Sequence, residues 1–390
     1  MSSFDQELRL NRRRLAVIGM AATASITGLT ALNSRAFAQD ATAEAGGGPG
    51  LPPLPEGATV VAEGLWNPAD LAFGPDGTLY IAETGVAGGG EEPPAGTPDP
   101  NATPVQAPAP LVAPQVTKVA ADGTVSLLTD EFGGVGIGVF NGEVFVANGG
   151  SSVSMGMVPN PGENAINAVN FETGETRLVA SLGQYEVDNN PDGTDVNPNL
   201  YGLAISEGGE IFVTDAGGNT IYKVDAATGN FELWVVVPDL TVLTGAEPDP
   251  EFGARQPVPT SVVIDDAGLI QVGLLAEGWE GPAILEYSPD ATYVPGPTGL
   301  SMIVSLALGP DGLLYASQLT ADFSGEVPAP GNVYRINADG TPEIVVADLF
   351  FPHGIAFDTE GNLYVAVNSI ISAPDAPAGQ VIRIDGIAAA

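Results

Sequence analysis

The sequence contains no cysteine. Disulfides, thiolate metal sites, cysteine nucleophiles and a lipid-bearing cysteine are therefore all excluded, and an exported form of the chain must be held by packing alone. Basic residues are scarce too: 11 Lys and Arg stand against 48 Asp and Glu, a formal net charge of −37. A surface of that sign repels nucleic acid and anionic lipid, which are recruited by basic patches, and attracts cations, calcium among them. Charged residues make up only 15% of the chain and apolar residues 44%, so the sequence can bury a substantial core and is not a disordered polyelectrolyte. At 390 residues it exceeds the usual size of one compact domain, but 51 Gly and 34 Pro favour many short strands and turns, the composition of a repeat architecture.

The first residues stand apart. Asn11-Arg12-Arg13-Arg14-Leu15-Ala16 sets paired arginines before a mildly apolar run to about Leu32, and Ala36-Phe37-Ala38 supplies a small-x-small cleavage signature. Residues 1–38 read as a signal peptide of the twin-arginine type, with Gln39 as the new N-terminus and a linker over 39–57. Removing five arginines and two acids with the leader leaves 6 basic against 46 acidic residues, a net charge of about −40. The expectation is an exported monomer (periplasmic, cell-surface or extracellular) with no membrane span after cleavage.

Internal similarity dominates the remainder. Asn67-Pro68-Ala69-Asp70-Leu71-Ala72-Phe73-Gly74-Pro75-Asp76-Gly77-Thr78-Leu79-Tyr80-Ile81-Ala82 sets a pattern that returns from Leu200, Val304 and Pro352, with degenerate copies near Phe132 and Val258. Each copy is a β-hairpin, two β-rich runs around Pro-Asp-Gly or a related turn, and several are followed by a third and fourth strand. Six units of four antiparallel strands predict an all-β, six-bladed β-propeller over 58–386, with a tail at 387–390. The last unit, Gln380-Val381-Ile382-Arg383-Ile384-Asp385, lacks a fourth strand; Ala58-Thr59-Val60-Val61-Ala62-Glu63 is expected to supply it and close the ring. Long loops are expected at 86–114, 151–164, 183–199 and 239–256.

Pro-Asp-Gly turns and Leu-Tyr-x-Ala strand ends resemble the NHL-repeat and gluconolactonase/regucalcin-like six-bladed propellers. Leu65-Trp66-Asn67-Pro68, Asn189-Asn190-Pro191-Asp192-Gly193, Asn199-Leu200-Tyr201-Gly202-Leu203, Val258-Pro259-Thr260-Ser261-Val262 and Gly379-Gln380-Val381-Ile382-Arg383-Ile384 are similar to the ScyD/ScyE family, named for a cyanobacterial scytonemin gene cluster. That likeness implies an exported propeller and no particular reaction. The gluconolactonase likeness implies a divalent metal on the axis, but the matching positions, near Ala69, Gly136, Tyr201, Thr260, Val304 and His353, offer only one good ligand.

Three groups are candidate sites. His353, the only histidine, stands at the start of an inner strand, where a lone imidazole is a candidate acid or base, as in streptogramin lyases, which are propellers that use such histidines; the plainer reading is a hydrogen bond at the strand start. Glu83, Asn148, Asp215 and Gln318 occupy equivalent positions after the second strand and are candidates for binding a cation or polar ligand on one face, or else for capping the turns there. Asp188, Asn190, Asp192 and Asp195 place oxygens along a loop with Gly193 at the sixth position, a calcium-like spacing whose closing acid is replaced by Asn199; an Asx/Pro/Gly turn is the alternative. Asn101-Ala102-Thr103 matches a glycosylation sequon. The residues leave two readings open: a module binding a small molecule, polysaccharide or protein on a propeller face, or a hydrolase or lyase acting in an axial pocket, with calcium as the candidate cofactor.

Overall fold

The computed structural model describes residues 53–88, 105–150, 152–245, 256–275, 281–322 and 328–388. The leader, most of the linker, the sequon and residues 389–390 lie outside them. The described chain forms six four-stranded antiparallel sheets, the blades of a β-propeller. Numbered from the chain start, their innermost strands are Pro68–Phe73, Gly136–Phe140, Leu200–Ile205, Pro259–Ile264, Ile303–Leu308 and Ile355–Phe357. Among the described residues no helix is long and apolar enough to cross a membrane.

Local chemistry explains the blades. In blade 1 the Pro-Asp-Gly turn joins Pro68–Phe73 to Leu79–Glu83. Gly77 takes the left-handed conformation (φ 80°) that the reversal demands, and Asp76 accepts the Thr78 N–H at 3.0 Å. Alternating side chains then bury both faces of each sheet against its neighbours. Tyr80, Ala82 and Val116 of blade 1 meet Ile137, Val144 and Val146 of blade 2. Leu71, Leu79 and Ile81 on the other face of blade 1 meet Tyr364, Ala366 and Val381 of blade 6. The core is thus six wedges between blades, and the fully buried Tyr222, Tyr287 and Tyr315 contribute up to about 3 kcal/mol each by leaving water.

The ring closes as expected. Thr59–Leu65 pairs antiparallel with Gly379–Ile384, with Thr59 opposite Arg383 and Leu65 opposite Gly379. A side-chain clasp backs the seam: the Ser372 N–H donates to Asn67 Oδ1 at 2.9 Å and the Asn67 N–H to Ser372 Oγ at 3.3 Å.

Because each sheet is antiparallel, connections leaving second strands and those entering first strands share one face. Among the described residues the long connections are of these two kinds and open from one face, while tight turns close the other. Two insertions join: Val105–Gln106 pairs in parallel with Met157–Val158. The 183–199 segment, expected as a loop, opens with a helix, α1 (Gly183–Asn189), ended by Asn190 in the left-handed region (φ 40°). Its intrinsic propensity is poor, and packing decides: Tyr185 sits edge-on to Tyr222 and Phe231 of blade 3. A second short helix, α2 (Leu240–Thr244), starts at Asp239, whose carboxylate accepts the Thr241 N–H at 2.7 Å.

Candidate functional site: the axial cavity and the loop face

The innermost strands surround a cavity of about 330 Å³ on the axis. Its wall toward the tight-turn face is apolar, with Phe73, Ile205, Ile264, Leu308 and Phe357 half-buried around it. At its inner end stand Asp70, Ser261 and Ser305, while equivalent positions in other blades are Gly136, Gly202 and Gly354. Glycine is required at all three by close approach. A Cβ on Gly136 would strike the Tyr201 carbonyl, and one on Gly354 would lie 2.4 Å from the Asp70 Cα. Small residues at this level let the strands converge, and the ring of six is drawn tight there.

Asp70 is the single ionisable residue of the cavity lining. Its Oδ2 accepts the Ile137 N–H at 3.2 Å, tying blade 1 to blade 2. Burial pushes the carboxyl up to about 7, against the pull of the Leu71 and Ile137 amides. Its residual exposure faces the cavity, and water there opposes that rise.

Beyond Asp70 the axis is shut. Tyr201 of blade 3 and His353 of blade 6 face each other from opposite sides of the ring, with Tyr201 Oη 2.7 Å from His353 Nε2. Their rings lie nearly parallel, 5.7 Å apart at 17°, and both residues are buried. Burial depresses the imidazole to about 4, although the nearby Ala69 carbonyl favours a proton on it. No hydrogen bond closes on Nδ1. Burial also drives the Tyr201 phenol upward, with the Asp70 charge adding to it. A neutral imidazole and a neutral phenol thus form a strut across the axis. Ala69, Val135, Ala216 and Val258 pack with Tyr201, so the axial positions matching a gluconolactonase-type metal ring hold apolar contacts.

Glu83, Asp215 and Gln318 lie at the ends of second strands, as the repeat predicts, and each makes local hydrogen bonds. Glu83 accepts from the Trp66 N–H, from Gln115 Nε2 at 2.9 Å and from Thr117 Oγ1. Asp215 Oδ1 accepts the Asn199 and Gly218 N–H groups at 2.7 and 2.9 Å. Gln318 donates to the Ser301 carbonyl at 3.1 Å and accepts from Asn332 and Tyr334. Asn148 is half-buried at the matching end in blade 2. Glu83, Asp215 and Gln318 each fasten the loop face to the strands of their own blade.

The four residues with calcium-like spacing are not brought together either. Helix α1 carries Asp188 to the surface, where it accepts from Gln184 Nε2 at 2.8 Å. Asn190 caps that helix and donates to the Thr194 carbonyl at 2.7 Å. Asp192 holds an Asx turn on Thr194 and accepts from Asn219 Nδ2 at 2.7 Å. Asp195 is exposed and accepts from Gln256 Nε2 at 3.2 Å. The helix turns Asp188 away from the loop, and Asn190, Asp192 and Asp195 spend their polar atoms on separate local partners. Two residues that the sequence did not flag matter more: Asp70, hidden in an apolar inner strand, and Glu186, one acid among 48.

No protein-family model matches the chain, and no curated protein matches it. Among solved structures it is similar to a calcium-binding regucalcin from Agrobacterium tumefaciens, with a TM-score of 0.51 at 13% identity over 84% of this chain and 92% of that one. A streptogramin B lyase is matched at a TM-score of 0.49 and 14% identity, over 84% of this chain and 96% of that one. A gluconolactonase from Xanthomonas campestris is matched at 0.49 and 14%, over 83% and 88%. At such identities the likeness concerns the fold alone.

Proposed function

We propose that this protein is an exported propeller of the ScyD/ScyE type that binds a small molecule in its axial cavity. One observation carries the reading: an axial cavity of about 330 Å³ with apolar side chains toward its mouth and Asp70, Ser261 and Ser305 at its inner end. Apolar side chains supply affinity and a few placed polar groups supply orientation, which is the usual division of labour in small-molecule sites of this size. Asp70 as anchor selects a ligand with a basic or hydrogen-bonding group at one end. Export rests on the arginine-led leader and the strongly acidic, cysteine-free mature chain.

A hydrolase or lyase is the second reading, favoured by the same carboxyl. A group titrating at about 7 is suited to proton transfer at neutral pH, and Asp70 would be the acid or base with the Tyr201–His353 pair behind it.

Calorimetric titration of the leaderless protein with a graded set of alkyl and aryl amines, and their neutral alcohol counterparts, tests the proposal. An amine that fits should bind at pH 8 and lose about tenfold or more in affinity in Asp70→Asn, since a charge-assisted hydrogen bond contributes ~1.5–3 kcal/mol. Binding that ignores the Asn substitution, or no binding across the set, would sink the reading. Turnover of a lactone or ester series, lost in the same variant, would shift the assignment to the enzyme.

A further inference from the structure

We infer that Glu186, Asp215 and Asn197 form a binding site for a hard divalent cation of the calcium class, on the loop face above blade 3 and away from the axis. Glu186 and Asp215 have no accessible surface and Asn197 almost none. Both Glu186 oxygens, Asp215 Oδ2 and Asn197 Oδ1 lack a hydrogen-bond partner, although the Asn197 backbone N–H is turned toward Glu186. Four buried acceptors left open in one place are costly, because native folds pair such atoms almost without exception.

The three side chains approach one bare stretch of backbone. A Cβ on Gly218 would lie 3.0 Å from Glu186 Oε2 and 3.2 Å from Asp215 Cγ. A Cβ on Gly217 would lie 3.0 Å from Asn197 Cγ and strike the Asn197 carbonyl. Gly217 and Gly218 thus hold the two carboxyls and the amide on one small perimeter, with the Asn197 backbone carbonyl beside them.

Charge supplies the second strand of the case. The charged groups acting on Glu186 are Asp215, Asp192 and Asp195, all acidic, with no cation among them. A divalent ion offsets the charge of the buried pair and satisfies the open oxygens at once. The donors are all oxygen, which suits calcium over zinc or copper. Among the described residues no three His, Cys, Asp or Glu side chains form a ready-made ligand set, so the amide, the backbone carbonyl and water complete the shell. The exposed Asp195 beside half-buried Asp192 draws cations to that side.

The test is thermal unfolding of the leaderless protein at pH 8 after chelation, with calcium or magnesium added back, together with terbium luminescence sensitised by Tyr222, which is close enough to feel both carboxyl charges. Calcium should raise the melting temperature by several degrees, and terbium should emit and be displaced by calcium. Glu186→Gln should remain folded by circular dichroism yet lose at least tenfold in calcium and terbium affinity. Asp188→Asn, on the exposed side of α1, should bind as the parent does. No response of the parent to millimolar calcium or terbium would overturn the assignment. So would a Glu186→Gln variant that binds within twofold of the parent, or an equal loss in Asp188→Asn.

Discussion

Replacing Asp70 by Asn should flatten part of the protein's pH–stability curve. The carboxyl rises from 3.8 to about 7 on folding. Between those values the folded protein holds a proton that the unfolded chain has released. Its contribution is complete below about pH 4 and drains away as pH climbs through 7. Three units at 1.36 kcal/mol each give about 4 kcal/mol over that window, and cavity water lowers the figure, so about 2–4 kcal/mol is expected. Glu186 and Asp215 titrate in the same sense, whereas His353, depressed to about 4, loses stability as pH falls. The informative quantity is therefore the difference between the parent and Asp70→Asn, in which those other groups cancel. Asn keeps an oxygen for the Ile137 N–H and removes the titration. Urea unfolding followed by tryptophan fluorescence at pH 4, 5, 6, 7 and 8 supplies the curve. The parent should lose about 2–4 kcal/mol more than the variant between the extremes. Parallel curves would refute both the buried carboxyl and its role as the cavity's anchor.

The strut makes its own predictions. Tyr201→Phe leaves His353 Nε2 unpaired in a dry site and should cost about 1–3 kcal/mol in the same assay. His353→Ala also leaves a void on the axis, should cost about 3–5 kcal/mol, and should let a dye that fits the cavity exchange from both faces; a loss under 1 kcal/mol would show that the pair carries no load. Gly354→Ala drives a methyl group to 2.4 Å from the Asp70 Cα, and a loss of about 3 kcal/mol or more in urea midpoint analysis is expected. N-terminal sequencing of the exported protein should begin at Gln39, and an intact leader on it would overturn the signal-peptide proposal.

The blades were legible because each is built from local rules. Pro-Asp-Gly fixes the hairpin, alternating apolar residues fix its two faces, and the unpaired Gln380 strand called for a partner that Thr59–Leu65 could fill. The sites were opaque because they join residues that no local pattern links. Tyr201 and His353 meet only because blades 3 and 6 oppose each other across the ring. Asp70 reads as an interruption of an apolar strand until the strand is placed on the axis. Glu186 lies in a segment with weak helical propensity, and only the packing of Tyr185 on Tyr222 turns it inward beneath the 190–197 loop. Acidic spacing misled in the opposite direction: Asp188 stands in a calcium-like row, yet α1 carries it to solvent.

The seam between Thr59–Leu65 and Gly379–Ile384 has a consequence for the order of assembly. A strand made early must wait, edge open, while five blades and most of a sixth are synthesised after it, because its partner follows them in the chain. Until then the protein is an arc, with blades 1 and 6 each showing a greasy flank to solvent. The final step is then all or none: one strand pairing joins both ends of the arc, hides the two flanks and brings Tyr201 and His353 within reach. A single event thus completes the fold, and a protease that attacks unfinished copies finds its opening at the waiting strand.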